Sequence, residues 1–366
     1  MVRLSAVRVM APSPIAGYIA ARNSEDGLKW AAVKGPGRMQ ARLDRLVQSP
    51  FHPGAALSRA DAGGEAHFGA GDLTPDTPVF FASATKLPVT VVVRLLEAEG
   101  LSLDTPFAAI VPVSGLLRRG GVDLTGDITL RHLMAHVSGL PDYLGSANPK
   151  TGLMGALLAG RDRGWGFDSV LEMARGMAPV GVPGQMRRAV YSDTNFQILG
   201  RVIEVVEGRP LAEVLERRLF QPLGLRQTWL YGGPADRRPA VLRYRGGALD
   251  VPQAMVSFGA DGALVSTTRE GLALVRAVFG GAFCDPARLM EGPFRPVFFP
   301  LRYGTGVMRF QLPRWMTLFR RYPAFYGHSG HSGAVLFHAP ETGLSVAATV
   351  NQVDRPGTVF QLLLRA

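Results

Sequence analysis

The sequence predicts an α/β chain: a discontinuous body of strands and helices with a mostly helical region inserted into it. Three observations carry this. A strand pair is legible near residue 60, further strands cluster in the last third, and between them apolar residues recur at helical rather than alternating spacing. We divide the chain into an N-terminal extension (1–38), an α/β part made of 39–120 and 255–366, and a helical part (121–254), with a ligand cleft between the last two.

Residues before Arg38 carry no clear periodicity, and ordered structure is expected from a helix over Met39 to Val47. Gly54 to Ser58 and Ala66 to Ala70, separated by the turn signal Asp61-Ala62-Gly63-Gly64, read as a β-hairpin. Ser83 to Glu99 reads as a helix that is apolar almost all round, hence buried, stopped by Gly100 and distorted in its second turn by Pro88. Phe196, Leu199, Ile203 and Val206 repeat at helical spacing before a stop at Gly208, and a further helix runs from Pro210 to Phe220. Thr267 and Glu270 form a capping box for a helix over Gly271 to Val278. Tyr303 to Phe310, Gly333 to His338 and Leu344 to Val350 read as strands, and Gly357 to Arg365 as a closing helix.

With 366 residues, 47% of them hydrophobic, the chain has enough apolar material for a large core. The formal charge of +11 comes mostly from arginine pairs spread along the length, such as Arg118-Arg119, Arg217-Arg218 and Arg320-Arg321. Scattered arginine reads as solvated surface, so no nucleic-acid partner is expected. Arg94 and Glu97 interrupt the best apolar run, so no membrane span is expected. Cys284 is alone, which excludes an intramolecular disulfide and a cysteine-based metal site. Arg3 and Arg8 precede a mixed run, Val9 to Ala21, that contains two prolines and no continuous apolar stretch; this favours a cytoplasmic over a periplasmic address.

Chemistry concentrates at three places. Ser83 and Lys86, at i and i+3, lie on one helix face about 5 to 6 Å apart at Cβ. The lysine is informative, because Lys29, Lys34 and Lys150 are its only companions in a chain that otherwise uses arginine. Arginine stays protonated, whereas a lysine with a lowered pKa can act as a base. Tyr191-Ser192-Asp193 stands before the helix beginning near Thr194, where a phenol close to a cationic lysine could be partly ionised and carry a proton. Gly327-His328-Ser329-Gly330-His331-Ser332-Gly333 offers small residues against which a substrate backbone can lie, a hydroxyl and a titratable ring. Taken singly, each has an ordinary structural explanation: a chance spacing, a buried tyrosine at a helix entrance, a glycine turn.

Together, in this order, they resemble the serine hydrolase superfamily of class C β-lactamases, penicillin-binding DD-peptidases and related family VIII-type esterases, with its Ser-x-x-Lys, Tyr-x-Asn and Lys/His-Ser/Thr-Gly motifs. The likeness runs from about Met39 to Gln352. It includes the segment Leu130 to Tyr143 with His136-Val137-Ser138-Gly139-Leu140 at its centre, Pro183-Gly184-Gln185, Pro222-Leu223-Gly224-Leu225, and Gly262 to Thr267. The resemblance implies a β-lactamase/transpeptidase-like fold, with an antiparallel sheet flanked by helices. It implies an acyl-enzyme on Ser83, Lys86 as general base, Tyr191 as second proton carrier, and an oxyanion hole from the N–H groups of Ser83 and His331. His328, Ser329, Gly330 and Asp193 then face the substrate. No metal or cofactor is required, since acyl transfer through a covalent intermediate divides one hard step into two.

Two departures bear on the substrate, a small-molecule ester or amide. Asp193 stands where the family has an asparagine that contacts an acylamino group, and a carboxylate accepts hydrogen bonds but donates none. His328 replaces a lysine and with it a fixed positive charge. A carboxylesterase is therefore expected ahead of a β-lactamase or a D-alanyl-D-alanine carboxypeptidase or D-amino-acid peptidase. Two readings of other classes are a metal site built on His132 and His136, spaced i, i+4, with His328 and His331 converging on them, and a non-catalytic binding protein of the same fold.

Overall fold

The structure is a computed structural model and describes residues 36–145, 152–317 and 322–366. The expectation for the N-terminal extension therefore lies almost wholly outside the described residues. Helix α1 (Pro36–Leu46) leads into β1 (Gly54–Asp61) and β2 (Gly64–Gly71), the expected hairpin, whose Asp61 side chain accepts a 2.8 Å hydrogen bond from the Gly63 N–H in the turn. Strand β3 (Val79–Ala82) is followed by a 3₁₀ turn, Ser83–Thr85, and by α2 (Lys86–Ala98). The sequence places a distortion at Pro88, and the structure corrects this. Pro88 lies in the first α-helical turn, where a missing N–H costs little, and the irregularity is the 3₁₀ turn ahead of it.

The middle of the chain is helical apart from short two-residue and three-residue strands. It holds α3 (Leu130–Met134), α4 (Leu153–Leu158), α5 (Phe167–Arg175), α6 (Asp193–Glu207), α7 (Leu211–Leu215) and α8 (Pro252–Gly262). Two small ribbons, β4 (Arg118–Arg119) with β5 (Val122–Asp123) and β7 (Leu242–Tyr244) with β8 (Gly247–Leu249), lie among them. Gly208 ends α6 in the left-handed conformation, φ 63°, which glycine adopts without steric cost. The helix expected from Pro210 to Phe220 continues past α7 as a π turn, Glu216–Phe220. A second sheet of three strands is ordered β3-β9-β6, from Val79–Ala82, Leu264–Ser266 and Trp229–Leu230.

The C-terminal third contributes α9 (Thr268–Phe279), α10 (Ala287–Met290), β10 (Arg295–Pro296), β11 (Leu301–Tyr303), β12 (Met308–Phe310), β13 (Phe325–Gly330), β14 (Ala334–Ala339), β15 (Leu344–Thr349) and α11 (Thr358–Leu363). These strands join the hairpin in one antiparallel sheet of order β10-β11-β12-β13-β14-β15-β1-β2, so the two ends of the chain meet through β15 and β1. The single strand expected over Tyr303 to Phe310 is a hairpin instead, turned at Gly304 and Gly306. Thr267 caps α9 as expected through the Glu270 N–H. The Glu270 carboxylate does not reach back; it accepts from the N–H groups of Arg226 and Gln227 and from the Thr228 hydroxyl.

The large sheet is buried on both faces, and strand alternation decides which residue goes where. Ala56, Leu336 and Ala347 face the layer that contains α2 and α9, while Leu57, Val335, Phe337 and Val346 face α1 and α11 with Met39, Leu43 and Phe360. Each large apolar side chain enclosed this way contributes roughly 1.5–3 kcal/mol. The arrangement brings β13 across the end of β3. A Cβ on Gly330 would lie 2.0 Å from the Phe81 carbonyl oxygen, so only a residue without one lets these strands approach at the start of the Ser83 turn. Gly330→Ala is expected to lower stability by about 1–3 kcal/mol, the range of an overpacked site. Thermal unfolding checks this, and an unchanged melting temperature would show that the strands do not meet this closely.

Candidate active site

Ser83 is presented by an elbow. The chain leaves β3 through Ala82, whose φ of 45° is unusual for a residue with a side chain, and then turns directly into the 3₁₀ segment. Thr85 holds the bend by donating to the Ala82 carbonyl at 2.6 Å and accepting from the Leu264 N–H at 2.8 Å. Lys86 follows one turn later and is wholly enclosed. Its Nζ donates to the Asp261 backbone carbonyl at 2.6 Å, lies 2.6 Å from Asp193 Oδ1, and stands 5.1 Å and 5.4 Å from the ring centroids of Tyr191 and Phe196. An ammonium removed from water needs such partners.

Tyr191 and Asp193 are brought in by the entrance to α6. Ser192 anchors the approach, its hydroxyl donating to the Pro141 carbonyl at 2.9 Å, and Asp193 is the first helical residue, its N–H donating to Asp142 Oδ1 at 3.3 Å. The Tyr191 hydroxyl is buried and makes no hydrogen bond of good geometry, yet Ser83 lies near enough to favour its ionised form. That influence is outweighed. Burial first, and then the Asp193 carboxylate, push the phenol well above its usual range, so Tyr191 is neutral rather than partly ionised as the sequence led us to expect.

The run at 327–333 is mostly strand. Gly327, His328, Ser329 and Gly330 belong to β13, and the turn is confined to His331, Ser332 and Gly333. His328 is fully buried. Its Nδ1 lies 2.8 Å from the Ser329 carbonyl and must donate to it, so Nε2 accepts from the Tyr303 hydroxyl at 3.0 Å. Burial and the neighbouring Lys86 hold its pKa down to about 3. The expectation that His328 meets substrate as a titratable group is thus corrected: strand alternation turns it to the floor of the site, where both nitrogens are occupied. Ser329 is half-buried, and His331 is exposed at the turn.

His136 is likewise structural. Its Nδ1 accepts from the Ser192 N–H at 3.2 Å and faces the Asn195 amide at 3.0 Å, and its ring stacks on Tyr191 with centroids 4.4 Å apart. It lies beyond the end of α3 with φ 52°, so the i, i+4 relation to His132 does not put the two rings on one helical face. Among the described residues no group of three or more His, Cys, Asp or Glu side chains is placed to hold a metal ion.

Two further acids beside Asp193 escaped the sequence reading. Asp142 is pushed up to about 8 by burial and by Asp193. Asp261 is raised well above the usual carboxylate range by the same two causes, and its Oδ2 accepts from the Tyr143 hydroxyl at 3.0 Å and the Gln197 amide at 2.9 Å. Asp142 lies in the segment Leu130 to Tyr143 and Asp261 immediately precedes the segment Gly262 to Thr267. Nothing in their spacing shows that they converge on Asp193.

A family model described as Beta-lactamase matches residues 39–364. The chain belongs to the beta-lactamase family. It is therefore a serine hydrolase by superfamily, with the β-lactamase/transpeptidase-like fold. The chain is 30% identical over 200 residues to penicillin-binding protein 4 of Amycolatopsis lactamdurans, a match covering 52% of this chain and 48% of that protein. It spans about half the length of that relative and less of others. In structure this beta-lactamase family member is similar to a D-stereospecific amidohydrolase from Streptomyces sp. (TM-score 0.73, 25% identity, covering 89% of this chain and 97% of that one). It is also similar to EstCE1, a hydrolase with promiscuous acyltransferase activity (TM-score 0.72, 18% identity, covering 90% and 97%), a likeness of fold.

The acid shell makes a pH-dependent prediction. Asp142 has a folded pKa of about 8 against an ordinary 3.8, so the folded state retains its proton. The stability this contributes is full below the ordinary value and is lost as pH rises through about 8. Asn resembles the protonated acid and can still accept from the N–H groups of Leu144 and Asp193. The melting temperature of Asp142→Asn should therefore rise relative to wild type between about pH 5 and about pH 9. A difference that does not change with pH would show that Asp142 is not held protonated.

Proposed function

We propose that this chain hydrolyses carboxylic esters through an acyl-enzyme on Ser83. Ser83 Oγ attacks the acyl carbon and its proton leaves toward Lys86. The Ser83 and His331 N–H groups hold the oxyanion, and neutral Tyr191 delivers a proton to the departing oxygen. Water then repeats the sequence in reverse and releases the acid. The close packing of Gly330 against Phe81 supports the oxyanion assignment, because it brings the residue after Gly330 to the Ser83 elbow. Each such donor is worth about 3–4 kcal/mol in the transition state.

The observation that carries the ester preference is Asp193. Its carboxylate, committed to Lys86, stands where an amide side chain could donate to an acylamino group. A β-lactam or acylated dipeptide loses that contact, whereas a simple ester never needs it. One other reading has an observation in its favour: the Asp193 carboxylate offers a countercharge for the α-ammonium of a D-aminoacyl amide or ester, and the chain resembles a D-stereospecific amidohydrolase. Either substrate is a small molecule. Among the described residues no helix is long and apolar enough to cross a membrane.

A panel of p-nitrophenyl esters of rising chain length, nitrocefin, a D-Ala-D-Ala peptide and D-amino-acid amides should show highest kcat/KM on an ester. Highest kcat/KM on a D-amino-acid amide favours the second reading, and on nitrocefin overturns both. Ser83→Ala should abolish turnover and prevent fluorophosphonate labelling, and Tyr191→Phe should slow turnover by roughly 100-fold. Lys86→Arg should not restore what Lys86→Ala loses, since guanidinium cannot accept the proton. Wild-type protein that no acylating probe labels at Ser83 would leave a non-catalytic binding protein as the better description.

A further inference from the structure

The cation Lys86 and the carboxylate Asp193 stand as an ion pair, Nζ 2.6 Å from Oδ1, in close contact though without good hydrogen-bond geometry. Around them, burial and Asp193 itself keep Asp142 and Asp261 protonated, the phenols of Tyr143, Tyr191 and Tyr303 are un-ionised, and His136 and His328 are neutral. From the sheet side His331 completes the groups within electrostatic reach of Asp193. Lys86 therefore faces one strong countercharge, and a lysine held as ammonium has no lone pair with which to take a proton from Ser83. Its other close partner, the Asp261 backbone carbonyl, accepts a hydrogen bond but is too weak a base to accept the proton.

We propose that Asp193 is the proton acceptor during nucleophilic attack: Lys86 passes a proton to Asp193 Oδ1 as it takes the Ser83 proton. This rests on the acyl-Ser83 reading. The Ser83 O–H bond breaks as the bond from Oγ to the acyl carbon forms, one N–H bond of Lys86 breaks as another forms, and Asp193 becomes a carboxylic acid. When the tetrahedral adduct collapses, the same proton returns through Lys86, and Tyr191 hands its own to the departing alcohol and is refilled. No proton is exchanged with solvent. The enclosed setting favours the step, since shielding from water narrows the gap between the charged pair and the neutral amine with its carboxylic acid. The asparagine usual at this position in the resembling family could not perform it, so the substitution that weakens amide recognition also supplies a base.

The test is the pH dependence of p-nitrophenyl acetate hydrolysis between about pH 6 and about pH 9, a range in which an exchange with solvent from an ordinary lysine would be visible. Wild type is expected to hold a plateau in kcat/KM, because the proton moves inside the pair. Asp193→Asn should fall roughly 100-fold at neutral pH and recover about tenfold per pH unit as solvent takes over as acceptor. Asp193→Glu, which keeps a carboxylate, should retain the plateau. An Asn variant whose profile has the wild-type shape, at any height, overturns the proposal, as does a Glu variant whose rate climbs with pH. If the Asn variant does not fold, fluorophosphonate labelling of wild-type Ser83 decides: a pH-independent rate supports the internal transfer, and a rate rising tenfold per unit overturns it. Failure of the underlying reading is separate, since wild type then gives no Ser83 adduct at any pH.

Discussion

Enclosing the Lys86 ammonium is the constraint on which the site depends. A full charge without water must be met by close partners, and here they are the Asp193 carboxylate and the Asp261 carbonyl, each 2.6 Å away. The three residues come from α2, α6 and α8. Those helices therefore cannot shift relative to one another without leaving a buried charge uncompensated, at a cost of about 3–5 kcal/mol. The same contact that stabilises the ammonium fixes the lysine one turn from Ser83 and, in the proposed mechanism, sets the direction in which its protons move. Stability and chemistry are coupled through one 2.6 Å distance.

The sheet supplies the other half of the geometry by close approach rather than by charge. Gly330 allows β13 to cross within contact of the Phe81 carbonyl, and the strained Ala82 bends the chain so that Ser83 opens a helix directly beneath that crossing. Thr85 bridges Ala82 and Leu264, tying the bend to the small sheet. Backbone in an unfavourable region persists when its surroundings over-determine it. Here two sheets and a helix start do so at the residue before Ser83.

Electrostatics around this frame run against a simple expectation. A tyrosine beside a lysine suggests an ionised phenol, but burial and the Asp193 carboxylate prevail and keep Tyr191 neutral. Asp142 and Asp261 are themselves kept protonated by burial and by the charge on Asp193, so enclosure permits only one anion near the one cation. The histidines obey the same rule. His136 and His328, near Lys86 and sealed from solvent, act as neutral hydrogen-bonding groups that hold Tyr191 and Tyr303 in place.

Much of this was legible in the sequence. Ser83, Lys86, Tyr191 and Gly330 announce themselves because motif order survives in one dimension, and the β1–β2 hairpin, α6 and its Gly208 stop follow from local periodicity and turn chemistry. What local pattern could not reveal is which polar groups share an enclosed space. Asp142 and Asp193 are far apart in sequence and Asp261 farther still, so their mutual influence exists only once α6 and α8 are packed. The Tyr303 hairpin was hidden for a related reason, since Gly304 and Gly306 turn the chain so that Gly306 can pack against Thr90 of α2. Sequence by itself determined the residue types of the proposed acyl-transfer site and their order. Tertiary structure decided the protonation of the acids, phenols and imidazoles around Lys86, because desolvation and neighbouring charge depend on distance through space.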